Sequence, residues 1–328
     1  MRGVIGFLYV FFSVASSTSS EVLRHAFPSP RIILGTSLQG FSHSFYCTLY
    51  VDFASDSGTR LCGCVILGSE TILTAAHCFE KLDPVDGVSV EYFSAARVLL
   101  YGDSRKADKL LRVQRPNIVV HPEHSVFTLK NDIAYLKISQ VQSGSQLIIN
   151  YEASAWDSLS SHDRLTVIGV GQNERDDIAF SLGAPRMTHL SRRDCETPEG
   201  YGYFSGWTYA AHLGDICAGP FYACTEERCG DSCRGDSGGP LVFESNGTIT
   251  LFGIVSRGDY LCGTKGGRPG IYTPSHRHEQ FIKQSILSSV TNDEYFTNDS
   301  RKASGSHTLS ARLFYPFFVF VIWIASGL

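Results

Sequence analysis

The sequence predicts an all-β domain, a barrel or a sandwich, held by disulfides. Three observations carry that expectation. Short apolar runs are separated by Gly-containing breaks rather than gathered into helical repeats. Glycine is abundant at 31 residues and methionine scarce at 2, which suits a loop-rich β domain better than a helical bundle. Ten cysteines form an even set behind a start that reads as a secretory signal, so they are expected to pair in an oxidising compartment. With 43% hydrophobic and 18% charged residues, a chain of 328 residues can bury a sizeable core; neither a disordered nor a collagen-like chain fits. A net charge of −4, with no Lys/Arg block, gives no footprint for nucleic acid.

Taken in chain order, Met1-Arg2-Gly3 is a short basic start, Val4 to Ala15 is nearly all apolar, and Ser/Thr residues follow to Ser20. Residues 1–18 are therefore expected to be a signal peptide and 19–31 a propeptide. Val65-Ile66-Leu67, Leu165 to Ile168, Ile249 to Val255 and Ile271-Tyr272-Thr273 read as strands between turns. Arg277 to Val290 reads as a helix, with Phe281, Ile282, Ile286 and Val290 on one side. The polar stretches Glu196 to Trp207 and Phe221 to Arg228 read as surface loops. Residues 291–312 form a polar linker and spacer. Leu313 to Leu328 is an uncharged apolar tail of 16 residues, short of the ~20 that span a bilayer. A polar spacer before a short apolar tail resembles a GPI-attachment signal, with Asn298 or Ala303 as the attachment residue; a transmembrane tail is the alternative.

Three segments in the middle carry chemistry: Thr74-Ala75-Ala76-His77-Cys78, Asn131-Asp132-Ile133-Ala134, and Gly230-Asp231-Ser232-Cys233-Arg234-Gly235-Asp236-Ser237-Gly238-Gly239-Pro240. A serine hydroxyl is a poor nucleophile at neutral pH. It needs an imidazole to take its proton and a carboxylate to hold that imidazole in the right tautomer. Each residue type alone is most often structural; His, Asp and Ser together have that logic.

These motifs resemble the trypsin-like serine proteases of the chymotrypsin family, over Ile32 to about Val290 (residues 32–290 as a domain). The resemblance implies two packed six-stranded antiparallel β-barrels, a cleft between them and a C-terminal helix. It implies His77 as general base, Asp132 as the carboxylate that orients it, and Ser237 as nucleophile. The N–H groups of Gly235 and Ser237 would form the oxyanion hole, where a glycine leaves the approach clear. Asp231, six residues before Ser237, is expected at the base of the S1 pocket to receive Arg or Lys. Gly258 and Gly270 match the pocket walls, and Ser256 a residue that supports Asp132. Arg31-Ile32 resembles the family's activation site: cleavage would free the Ile32 amino group to pair with Asp236. Implied disulfides are Cys62–Cys78, Cys195–Cys217 and Cys233–Cys262. Cys47–Cys64 follows from strands expected to be neighbours, leaving Cys224–Cys229 for a small loop.

Two departures stand out. Arg257 replaces a Trp that commonly lines the S2–S4 side of the cleft, and acidic substrate residues are expected to be favoured there. Val170 replaces another Trp, a packing change. No cofactor or metal is expected: Cys62, Cys64, His77 and Cys78 hold zinc-like residue types, but secretion favours disulfides, and Gly169-Val170-Gly171 lacks the rest of a dinucleotide fingerprint. Asn246-Gly247-Thr248 is a glycosylation sequon. The expected protein is a secreted zymogen tethered to the outer cell surface through a lipid anchor. Its partners are protein or peptide substrates with Arg or Lys at P1, an activating protease and protein inhibitors. A catalytically silent homologue that only binds is the competing expectation.

Overall fold

The computed structural model describes residues 32–37, 44–55, 58–83, 85–101, 109–139, 147–172, 186–193, 195, 211–212, 214–220, 224–225, 228–258, 262–264 and 268–288. The chain divides into two units, Met1–Phe296 and Thr297–Leu328, and every described residue belongs to the first. The expected signal peptide, propeptide, loop 196–207, spacer and apolar tail lie outside the described residues, as does Arg31. Among the described residues no helix is long and apolar enough to cross a membrane.

The first half contains β1 (Thr36–Ser37), β2 (Tyr46–Asp52), β3 (Thr59–Ile66), β4 (Thr71–Thr74), β5 (Glu80–Leu82), β6 (Val90–Tyr92), β7 (Ala95–Leu100), β8 (Lys109–Val113), β9 (Ile118–Val120) and β10 (Ala134–Lys137). Seven of these form one sheet in the order β8-β7-β2-β3-β4-β10-β9. Alternation decides its faces. Cys47, Leu49 and Val51 of β2 turn to one side, with Cys62, Cys64 and Ile66 of β3 and Ala134 and Leu136 of β10. Tyr46, Val65, Leu73 and Tyr135 turn to the other.

The second half contains β11 (Leu147–Ile149), α1 (Ala153–Asp157), β12 (Leu165–Gly169), β13 (Arg186–Arg193), β14 (Ile216–Pro220), β15 (Pro240–Ser245), β16 (Thr248–Arg257), β17 (Gly270–Pro274) and α2 (Glu279–Leu287). Six strands close on themselves as β13-β12-β15-β16-β17-β14, because β14 pairs back onto β13 from Leu190↔Pro220 to Arg193↔Cys217. Leu165, Val167, Leu190, Leu241 and Tyr272 pack within it. Ile168, Val170, Val242 and Ile254 pack instead with Tyr46, Val65 and Leu73 of the first sheet, so one apolar cluster joins the halves. Burying each such aliphatic side chain stabilises by roughly 1.5–3 kcal/mol.

Only the second half is a closed six-stranded barrel; the first is a half-barrel. Its two edges, β8 and β9, are consecutive in the chain and separated by a 3-10 turn at Arg115–Asn117 that contains Pro116. The C-terminal helix is also shorter than its pattern. His276–His278 is a 3-10 turn, in which the His278 ring lies 2.9 Å from the Pro274 carbonyl, and only Glu279–Leu287 is α-helical. Phe281 and Ile282 are buried while Ile286 faces solvent. Lys137 seats this helix: its buried Nζ donates to Thr71 Oγ1 at 2.8 Å and to the Ser285 carbonyl at 3.0 Å.

Sulfurs meet at bonding distance in Cys47–Cys64, Cys62–Cys78, Cys195–Cys217, Cys224–Cys229 and Cys233–Cys262. Cys47 and Cys64 are directly opposed in the β2–β3 ladder. Asn246 is exposed in the turn joining β15 to β16, where Asn246 and Gly247 have φ of 51° and 74°. Two left-handed residues fit the right-handed twist of a tight hairpin. Replacing Cys47 and Cys64 together by Ala is expected to lower unfolding free energy by about 3 kcal/mol, measured by urea titration under non-reducing conditions.

Candidate active site

Asp132 is fully buried two residues before the start of β10, just after Asn131, whose φ is 50°. Its carboxylate is held from three directions. The His77 backbone N–H donates to Oδ1 at 2.9 Å, His77 Nδ1 lies 2.8 Å from Oδ2, and the Ser256 hydroxyl donates to Oδ2 at 2.6 Å. The Thr273 hydroxyl donates to the Asp132 carbonyl at 3.0 Å. Burial alone would raise the Asp132 pKa. The charge and hydrogen bond of His77 and the Ser256 bond outweigh it, and the carboxyl stays well below the usual range. An ionised Asp132 favours the tautomer with the His77 proton on Nδ1, leaving the lone pair on Nε2.

Two halves of the molecule meet here. His77 stands on a 3-10 turn, Ala76–Cys78, that follows β4, and Cys78 ties that turn to β3 through Cys62. Ser256 comes from β16 of the closed barrel. Ser237 follows Asp236 in the turn before β15; its carbonyl accepts the Gly63 N–H at 2.7 Å and lies 3.8 Å from Cys78 Sγ. The nucleophile candidate is thus fastened to the strand and turn that carry His77. Gly235 has a φ of 96°, and a Cβ there would come within 3.0 Å of Gly171 Cα. No L side chain fits both conditions.

Asp236 is buried beside Gly169-Val170-Gly171. The Gly171 N–H donates to Oδ1 at 2.6 Å and the Cys233 N–H to Oδ2 at 2.8 Å. A Cβ on Gly169 would sit 1.9 Å from Asp236 Oδ1, so this glycine pair makes a slot for the carboxylate. Burial pushes Asp236 up to about 7, against the pull of those hydrogen bonds. Val170 is buried in the cluster between the halves. Ile32 and Ile33 are buried too, and Ile33 exchanges backbone hydrogen bonds with Asp231 at 3.2 and 3.3 Å.

Asp231 is buried, and its Oδ2 accepts the Gly263 N–H at 3.0 Å. Gly263 also accepts the Cys229 N–H at 2.6 Å, so the Cys224–Cys229 loop abuts the Asp231 pocket. Tyr272 Oη is 3.3 Å from Ser232 Oγ, and a Cβ on Gly270 would lie 3.0 Å from that phenol oxygen. Gly258 is exposed at the end of β16. Cys62, His77 and Cys78 bring potential metal-binding atoms within 4.8 Å of one another, but both sulfurs are spent in a disulfide.

The structure corrects the expectation for Arg257. Its Nη2 pairs with Asp215 Oδ2 at 2.5 Å, and Nη1 donates to Ser256 Oγ at 3.2 Å. The two charged side chains are only 7% and 14% exposed. The charge is turned inward and neutralised, so it offers little attraction to acidic substrate residues. Sequence reasoning missed Asp215 and the Thr273 hydroxyl altogether. Asp215 lies 42 positions from Arg257, and no local pattern links them.

The family model for trypsin matches residues 39–282. The chain is 29% identical over 249 residues to the urokinase-type plasminogen activator of Gallus gallus, covering 72% of this chain and 53% of that protein. It is 26% identical over 276 residues to the hepatocyte growth factor activator serine protease of Mus musculus, covering 80% and 38%. With the atrial natriuretic peptide-converting enzyme of Homo sapiens the identity is 28% over 262 residues, covering 78% and 22%. The chain spans about half or less of the length of these relatives. With a closed barrel, a half-barrel and this family match across most of its length, the chain belongs to the trypsin family.

Proposed function

We propose that this chain is the zymogen of a secreted serine endopeptidase that cleaves after Arg or Lys. The observation that carries the reading is the hydrogen-bonded path from Ser256 through Asp132 to His77, beside which Ser237 is fastened. In the proposed reaction His77 Nε2 takes the Ser237 proton as Oγ attacks the scissile carbonyl. The N–H groups of Gly235 and Ser237 stabilise the oxyanion. His77 then protonates the leaving amine, and water releases the acyl group by the same route. The buried carboxylate of Asp231 supports selection of a cationic P1 side chain, because Arg or Lys neutralises a charge already taken out of water.

Cleavage after Arg31 is the proposed activation step. It frees an ammonium on Ile32, whose side chain is already buried. Asp236 supports this reading: burial without a full counter-charge holds its pKa near 7, and a buried ammonium would pair with it. Breaking such a pair costs about 3–5 kcal/mol. Five disulfides support an oxidising, extracellular destination. The uncharged residues 313–328 behind a polar spacer support a GPI tether at the outer cell surface, and the exposed Asn246 supports a glycan.

Ser237→Ala, in protein cleaved after Arg31, is expected to lower kcat on an Arg p-nitroanilide by about 10⁶ and to abolish fluorophosphonate labelling. A chain whose wild type resists the label is a binding homologue, not a protease. Asp231→Ser is expected to lower kcat/KM for Arg and Lys substrates by about 10⁴, read from a peptide-library digest. Release from cells by phosphatidylinositol-specific phospholipase checks the tether.

Asp236 predicts a pH dependence. Its folded pKa, about 7, lies above the roughly 3.9 of an unfolded Asp. The stabilising proton is fully held below about pH 4 and is lost as pH rises through about 7. In the uncleaved chain, wild type should therefore lose more stability between pH 4.5 and 8 than Asp236→Asn does. The difference reaches roughly 3 kcal/mol at most, measured by urea unfolding. Cleavage after Arg31 should shrink it.

A further inference from the structure

Arg257 is the residue the site has not yet used. Ser256 Oγ carries one proton and two lone pairs. An N–H from Arg257 Nη1 reaches it at 3.2 Å, while Asp132 Oδ2 lies 2.6 Å away. A guanidinium has five donors and no acceptor, so the hydroxyl cannot donate toward Arg257. Its proton is directed to Asp132, onto the same Oδ2 that faces His77 Nδ1. Arg257 itself cannot swing away easily. Its other nitrogen is held by Asp215 at 2.5 Å, both side chains are largely buried, and separating them would strand a desolvated charge. Asp215 has a second effect. A bare cation this close would oppose the imidazolium that forms on His77, and the paired carboxylate cancels it.

Resting on the protease reading above, we propose that Arg257 is a positioning residue: clamped by Asp215, it orients the Ser256 hydroxyl onto Asp132 and leaves the charge at His77 balanced. The path runs Asp215, Arg257, Ser256, Asp132, His77. Other charged or titratable groups acting on Asp132 are His124, His278 and Glu80, and the test leaves all three in place.

The test uses the cleaved enzyme and seven variants: Arg257→Met, Asp215→Asn, the two combined, Ser256→Ala alone, and Ser256→Ala added to each of the first three. Active-site titration with a fluorophosphonate counts folded enzyme in every case. Arg257→Met removes the cation paired with the Asp215 carboxylate and should move the acid limb of kcat/KM to higher pH. Asp215→Asn removes the carboxylate paired with the guanidinium and should move that limb to lower pH. The combined variant should restore the limb yet lose about five- to tenfold in kcat, the loss of one oriented hydrogen bond. With Ser256→Ala already present, that kcat loss should vanish. Shifts of the same sign, or an equal kcat loss without the Ser256 hydroxyl, overturn the proposal. An NMR titration of His77 in Ser237→Ala protein reads the same shifts without turnover. Absence of labelling in wild type would therefore sink the protease reading while this one is still decided.

Discussion

A carboxylate taken wholly out of water constrains everything around it. Isolated, an ionised Asp132 would carry a penalty of tens of kcal/mol in a medium of dielectric ~4, and it would escape by keeping its proton. It stays ionised because donors converge on it: the His77 backbone and ring, and the Ser256 hydroxyl. These donors come from a half-barrel turn and from a strand of the closed barrel. The charge can persist only if the two halves are packed in one relative position. The apolar cluster of Tyr46, Val65, Leu73, Ile168, Val170 and Ile254 between them supplies that position. Packing between the halves and the tautomer of a single imidazole are thus parts of one problem.

The same logic explains how rigid the neighbourhood is. Cys62–Cys78 pins the His77 turn to β3, and Gly63 of that strand holds the Ser237 carbonyl. Gly169 and Gly171 leave a slot filled by Asp236 rather than by a side chain of their own. Each device removes freedom from a group that must be in place before reaction. Orientation settled in advance is worth more to catalysis than attraction that must first reorganise. The second buried carboxylate differs from the first in one respect. Asp236 receives backbone N–H groups but has no imidazole beside it, so burial wins and its pKa climbs to about 7.

Arg257 shows why residue type alone misleads at such a site. In a sequence, an arginine near a cleft suggests a charge offered to substrate. In the fold, that charge is paired with Asp215, and the other terminal nitrogen donates to Ser256. Pairing across the interior turned a feature of the surface into part of the framework behind Asp132 and His77.

The sequence by itself determined the fold class and pointed to the candidate site residues. Short apolar runs at 165–168, 249–255 and 271–273 became β12, β16 and β17 because strand alternation is written locally, residue by residue. His77, Asp132, Asp231 and Ser237 were legible because their neighbours form short, unusual motifs. The tertiary structure alone decided three things. The 3-10 turn at Arg115–Asn117 separates β8 from β9, which lie at opposite edges of the first sheet. The His276–His278 turn shortened α2, because the backbone leaving β17 competes with the helical pattern. Asp215, just before β14, met Arg257 at the end of β16, a contact between residues 42 positions apart. Periodicity encodes which face of an element is apolar. It carries no information about which distant polar group will share a buried place, because that depends on how the closed barrel brings its strand ends together.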